Sequence, residues 1–239
     1  MRILAIETST YSGSIAVSNG EEILGEFYFN MGPSHSEKLV PSIDWLLSGL
    51  KMAKSELDGV AVSLGPGSFT ALRVGISTAK GIAYSLGIPV TGASSLEILA
   101  MNLPFSRYQI CSLIDARKGE YFAALFRSDD GRIERIAEDR AYSPMGLTEI
   151  IKEKTIFIGE GALLYKDFLE DNQVGGRELA DFCPPYLNYP RASSLALHGS
   201  GRLEEGLTED LFGLAPHYLR KSDAELSTKG RYHDRIGHN

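Results

Sequence analysis

The sequence predicts an α/β fold of two lobes, each built as strand, strand, strand, helix, strand, helix. Three observations carry this. The run Arg2-Ile3-Leu4-Ala5-Ile6 is apolar on both faces and reads as a central strand. Strand-type runs alternate with segments of helical periodicity along the chain. The order of elements in residues 2–85 then recurs, as a pattern without residue-level identity, in residues 108–169.

The elements follow in order. After the first strand, 14–18 and 23–29 read as strands, joined by the hairpin signal Asn19-Gly20. Ser34 with Glu37 three residues on makes a capping box, which starts a helix over 34–50. Leu39, Ile43, Leu46, Leu47 and Leu50 recur along it at helical spacing, and Pro41 predicts a kink. A strand over 58–64 and a helix over 70–85 complete the first unit. In the second, 108–114, 121–126 and 133–137 are strands, with Asp130-Gly131 as a turn. A helix over 144–152 capped by Ser143, a strand over 155–158 and a helix over 160–169 follow. A last helix covers about 192–205, after the loop 184–190. The expected domains are an N-terminal lobe over 1–103, a C-terminal lobe over 104–220 and a polar tail over 221–239. Two copies of such a unit characterise the superfamily of actin, sugar kinases and heat-shock chaperone ATPases, with its actin-like, ribonuclease-H-like fold.

The bulk properties narrow the function. A net charge of −7 disfavours tight nonspecific nucleic-acid binding by this chain alone. No run of 18 uninterrupted apolar residues indicates a membrane span. Met1 to Thr8 reads as a buried strand rather than a secretory signal. Cys111 and Cys183 sit in apolar surroundings, which fits reduced core thiols and a cytoplasmic protein.

The most telling segment is Gly65-Pro66-Gly67-Ser68-Phe69-Thr70, where a strand turns abruptly into a helix. Such a turn aims free N–H groups forward and so resembles an anion site. It is no Walker loop, because the nearest downstream lysine is Lys80, and no third glycine makes it a dinucleotide fingerprint. The stretch Glu7 to Ser14 sits where an ATPase of the superfamily wants a metal-holding acid. Glu7 lies within the strand, and no second acid comes before Glu21. The histidines, His35, His198, His217, His233 and His238, form no metal motif, and no nucleophile elbow is present. Asp115-Ala116-Arg117-Lys118-Gly119-Glu120 joins two strands, where Asp115 and Arg117 are able to pair.

The helix after the Gly-Pro-Gly turn is unusual. Leu72, Ile76, Ala79 and Ala83 form one apolar side, and Ala71, Val74, Gly75, Thr78, Gly81 and Ile82 a second, small-residue side. Only Arg73, Ser77, Lys80 and Tyr84 make a polar stripe. An ordinary surface helix buries one face. A second face of small residues admits the close approach of another helix, from this domain or from a partner.

Four segments together, Ile3 to Ser9, Gly65 to Gly75, Asp115 to Glu120 and Tyr218 to Glu225, resemble the bacterial TsaB (YeaZ) family. The resemblance implies the two-lobed superfamily fold. It also implies a role as partner of the paralogous TsaD, with the ATPase TsaE, in placing threonylcarbamoyl on the adenosine beside the tRNA anticodon. Against TsaD, Ser95 and Leu99 stand at the two histidine places of its metal motif, and neither replaces an imidazole. Tyr11 and Ser12 replace its acidic pair, the charged turn 115–120 its Gly-Gly-His-Thr turn, and Ala192 and Ser193 its late Asp-Asn. The expectation is therefore a non-catalytic scaffold subunit that binds no cofactor or metal of its own, with ATP and metal in the partner subunits. It is expected to form a homodimer when alone and to meet tRNA through the complex. His35, Leu39, Ala71, Val74, Gly75, Thr78 and Gly81 are expected to face the partner, while Gly65, Pro66, Gly67 and Ser68 position the second helix. Leu72 and Ile76 are expected to face the chain's own sheet. A bulky residue at Gly75 or Thr78 is expected to abolish the heterodimer and leave the monomer folded. An ATP-dependent enzyme, a glycoprotease-like peptidase and a direct tRNA-binding module are the alternatives.

Overall fold

The computed structural model describes residues 1–30, 35–172 and 177–220. Its first sheet contains β1 (Arg2–Glu7), β2 (Ser12–Asn19), β3 (Glu22–Asn30), β4 (Gly59–Gly65) and β5 (Val90–Ser94), in the order β3-β2-β1-β4-β5. β1 to β3 pair antiparallel, and β4 and β5 add in parallel. The second sheet contains β6 (Gln109–Arg117), β7 (Glu120–Asp129), β8 (Arg132–Tyr142), β9 (Thr155–Ile158) and β10 (Ala180–Phe182). Its order, β8-β7-β6-β9-β10, repeats the first with the same senses. The chain is thus a two-lobed α/β fold in which one unit occurs twice. β5, β10 and the short helix α3 (Ser95–Ala100) were not expected from the sequence.

Both faces of each sheet are covered, which explains why Ile3 to Ile6 of β1 are apolar on both sides. α1 (His35–Gly49) and α2 (Phe69–Leu86) lie on one face, where Leu39, Ile43, Leu47, Ile76 and Ala79 join Leu4, Ile6, Val60 and Val62 in one core. Ser34, the expected cap of α1, lies outside the described residues. The helix runs through Pro41 without interruption. On the second sheet, α4 (Pro144–Ile150) and α5 (Glu160–Asp171) bring Leu147, Ala162 and Tyr165 onto Cys111, Leu113 and Phe157.

The remaining faces are covered by helices whose place in the chain points to the other lobe. α6 (Ala192–Glu204) falls in the stretch 104–220 expected as the C-terminal lobe, yet it lies across the first sheet. Ala192, Leu195 and Ala196 meet Ile3, Ala5, Ala16 and Ala61 there. The small strand residues let α6 come close: a Cβ on Gly199 would lie 2.5 Å from the Ala61 Cβ. Conversely, α3 directly follows β5 but packs on the second sheet, with Leu96 and Leu99 against Ile110, Ile114 and Phe126. The lobes therefore exchange a helix each. Cys111 and Cys183 are both buried and unpaired, and burial pushes their thiols up, Cys183 to about 11.

Candidate partner interface

The Gly-Pro-Gly turn works inward. β4 ends at Gly65, whose φ of +99° suits only glycine. The Ser68 N–H donates to the Ser9 carbonyl at 2.7 Å, and a Cβ on Gly67 would lie 2.1 Å from that same oxygen. One turn on, the Thr8 hydroxyl donates to Ala71 O at 2.9 Å. The loop and the start of α2 are thus riveted to the end of β1. The Ser68 N–H that an anion would need is directed at the chain's own backbone.

This fixes which side of α2 faces where. Ile76 joins the core on the sheet, as expected, and Leu72 is buried beside Gly65 at the end of β4. Ala71 is buried too, at 1% exposure, with its carbonyl on the Thr8 hydroxyl, and Gly75 is buried against Thr8. Leu39, at 0% exposure, belongs to the core under α1. These three assignments to the partner face are therefore corrected: the small residues at 71 and 75 admit β1, not a second protein. The side chain of His35 lies outside the described residues. Val74 and Thr78 are half-buried, and Gly81 is exposed with open space where a Cβ would stand.

Thr78, Gly81 and Ile82 line a groove of about 240 Å³ between α2 and α1. Val40, Ile43 and Leu47 form the opposite wall, and Leu4 and Leu57 reach it from below. Asp44 and Lys54 pair at 2.6 Å across its margin. Thr78 Oγ1 donates to Val74 O at 2.8 Å, so its hydroxyl is satisfied within α2. Beside the groove Trp45, 64% exposed, leans on Phe27 at 4.9 Å. The sequence reading missed Val40 and Trp45, and it placed Ile82 on the second face of α2 without naming it among the partner-facing residues. The signal was present, because Val40 and Trp45 are large apolar residues off the main stripe of α1.

Residues near the end of the described chain touch the polar stripe of α2, although Arg73, Ser77 and Tyr84 stay exposed. Lys80 Nζ donates to Phe212 O and Leu214 O at 3.0 and 3.3 Å. Arg73 lies 3.7 Å over the Phe69 ring and donates to the Tyr218 hydroxyl at 2.8 Å. His217 N reaches Leu64 O at 2.8 Å, so residues 207–220 form a strap along this side of the helix.

Ser95 and Leu99 are completely buried, Leu99 in the core against the second sheet. Tyr11 is 55% exposed and Ala192 is buried. No three His, Cys, Asp or Glu side chains come together as a metal site among the described residues. Glu7 is fully buried, and burial raises its pKa despite hydrogen bonds involving Ser9 and Ser63. Asp115 and Arg117 pair at 3.5 Å at the β6–β7 turn.

The family described as TsaD: tRNA N6-adenosine threonylcarbamoyltransferase matches residues 30–228. The Bacillus subtilis "tRNA threonylcarbamoyladenosine biosynthesis protein TsaB" is 34% identical over 228 residues, covering 94% of this chain and 96% of the relative. The Escherichia coli protein of the same name is 32% identical, covering 97% and 100%. The chain belongs to the TsaB family. The solved structure titled "YeaZ from Pseudomonas aeruginosa" shares the fold, with a TM-score of 0.76 at 23% identity over 91% of this chain and 99% of that one. In this member of the TsaB family, an open apolar groove lies between α1 and α2. No described helix is long and apolar enough to cross a membrane.

Proposed function

We propose that this chain is the scaffold subunit that binds TsaD and supports formation of threonylcarbamoyladenosine next to the tRNA anticodon, with TsaE as a further partner. The observation that carries the reading is the groove between α1 and α2. Its walls are aliphatic, and its sides are helices able to take a helix from another protein. Val40, Val74, Thr78, Gly81 and Ile82 form the docking surface, with Trp45 at its edge. Gly81 lets a partner backbone approach where a side chain would hold it off. In isolation the same face pairs with a second copy, because an apolar surface of this kind is costly to leave in water.

The chain itself performs no metal-dependent step in this reading. Serine and leucine at positions 95 and 99 supply no ligand for a transition-state-stabilising cation. ATP and metal belong to the partner subunits, and tRNA meets the assembled complex. Copurification with TsaD and TsaE, followed by a tRNA modification assay with and without this chain, tests the proposal. The expected result is a stable complex and modification that depends on the chain. Full modification by TsaD and TsaE alone would overturn it.

A further inference from the structure

β1 ends in an acid whose surroundings give it no reason to ionise. Ile3 and Ala5 face α6, and by strand alternation Glu7 follows on that side, beside Ser63, which follows Ala61 on β4. Glu7 is 1% exposed. Burial raises its pKa, hydrogen bonds involving Ser9 and Ser63 lower it by less, and no neighbouring positive charge contributes. A buried carboxyl without a cation beside it takes up a proton rather than stay ionised.

The two carboxyl oxygens have different surroundings. Oε1 accepts from Ser9 N at 2.5 Å. Oε2 is buried with no hydrogen-bond partner among the described residues, and the same holds for Ser9 Oγ. Both unpartnered groups therefore stand on residues that are already joined through the Ser9 N–H. Ser63 Oγ, which accepts from Thr8 N at 3.3 Å, borders the same carboxyl. Burying an acid and a hydroxyl without partners is costly, and a site with several such groups is where an internal water belongs.

We infer that a water molecule is bound between Glu7 Oε2 and Ser9 Oγ, with Glu7 as a neutral acid that donates to it. The acid O–H and the serine hydroxyls offer that water both donors and acceptors. One carboxyl oxygen and two hydroxyls fall well short of the oxygen shell that a hard cation such as calcium takes. Ser9 is also the residue whose carbonyl takes the Ser68 N–H, so the water site steadies the end of β1 onto which the Gly-Pro-Gly turn is held. This holds whatever docks on α2.

The test uses the full chain at pH 7. Infrared difference spectra between the unmodified chain and Glu7→Gln should show the C=O band of a protonated carboxyl, lost in the variant. A high-resolution crystal structure should show one water within about 2.7–3.2 Å of both Glu7 Oε2 and Ser9 Oγ. Glu7→Gln, whose amide has an acceptor and a donor where the acid has them, should melt no lower than the unmodified chain. Glu7→Met, of similar length but with neither group, should melt several degrees lower. Exchanging choline chloride for sodium or potassium chloride should leave the melting temperature of the unmodified chain in place. A carboxylate instead of an acid band, a Glu7→Gln chain that melts lower, or a Glu7→Met chain that melts as high as the unmodified one would each overturn the inference. So would a direct Oε2–Oγ hydrogen bond with no water between, or a melting temperature raised by sodium or potassium, which would put a cation in the water's place.

Discussion

Gly75 and Thr8 meet so closely that position 75 has no room for a side chain: a Cβ there would lie 2.2 Å from Thr8 Oγ1. That hydroxyl is itself held by Ala71 O, so it has no cheap way to move. Gly75→Val should therefore destabilise the monomer, by about 1–3 kcal/mol or more, through overpacking between α2 and β1. This reverses the expectation that such a change leaves the monomer folded. Chemical denaturation should show a lower midpoint for the isolated chain, before any partner is added.

Gly81, two turns on along α2, should respond with the opposite sign. A Cβ there meets nothing within 4 Å, and glycine in a helix interior costs about 1 kcal/mol against alanine. Gly81→Ala should raise the unfolding midpoint of the isolated chain while weakening TsaD binding. A gain in stability with unchanged binding would remove Gly81 from the docking surface.

Glu7 and Glu26 lie in the same sheet and should titrate in opposite senses. Burial, the largest effect, holds the Glu7 pKa above its ordinary 4.5. A raised folded pKa means that its contribution is fully present below about pH 4.5 and is lost as pH rises through the folded value. Glu7→Gln should consequently gain stability relative to the unmodified chain as pH rises toward 7. Denaturation curves at pH 4 and pH 7 measure this. An unchanged difference between the two proteins at both pH values would count against it.

For Glu26, burial works to raise the pKa, but hydrogen bonds from Arg191, Ser193 and Ser14 and the charge of Arg191 together outweigh it and hold the pKa low. Its contribution is present above about pH 4.5 and lost as pH falls through the depressed value. Glu26→Gln should cost about 1.5–3 kcal/mol at pH 7, toward the lower end because Arg191 is 41% exposed and screened by water. That cost should shrink in acid, and the acid limb of the stability curve should flatten.

The strap over α2 rests on few contacts. Tyr218→Ala removes the ring stacked 5.0 Å from Phe69 and the hydroxyl that holds Arg73. Amide exchange in 210–220 should speed up several-fold while the core of the first sheet stays protected. Uniform protection across the chain would show that Lys80 and the His217 backbone bond suffice to hold the strap.

Much of the fold was readable because periodicity and turn chemistry agree along the chain. Asn19-Gly20 and Asp130-Gly131 both form the hairpins that their sequences signal, with positive φ at Gly20, Asp130 and Gly131. β5 and α3 escaped because a five-residue strand runs straight into a six-residue helix, too short for either period to register. The exchange of α3 and α6 between lobes was not readable, since alanines at 5, 16, 61 and 196 announce close packing without naming the partner. The same ambiguity misplaced Ala71 and Gly75. A small residue on a second helix face invites a close neighbour, and only the position of Thr8 shows that the neighbour is the chain's own first strand. Thr78 and Gly81, one or two turns further from β1, kept their place at the open groove.

The most direct test of the account is titration calorimetry of TsaD with the isolated chain and with Thr78→Trp. The indole should fill the groove between α1 and α2 without entering the core, so the variant should keep its circular dichroism spectrum and melt within a few degrees of the unmodified chain. Its affinity for TsaD should fall by about 100-fold, or about 2.7 kcal/mol. A folded Thr78→Trp chain that binds TsaD with undiminished affinity would contradict the assignment of this groove as the docking surface.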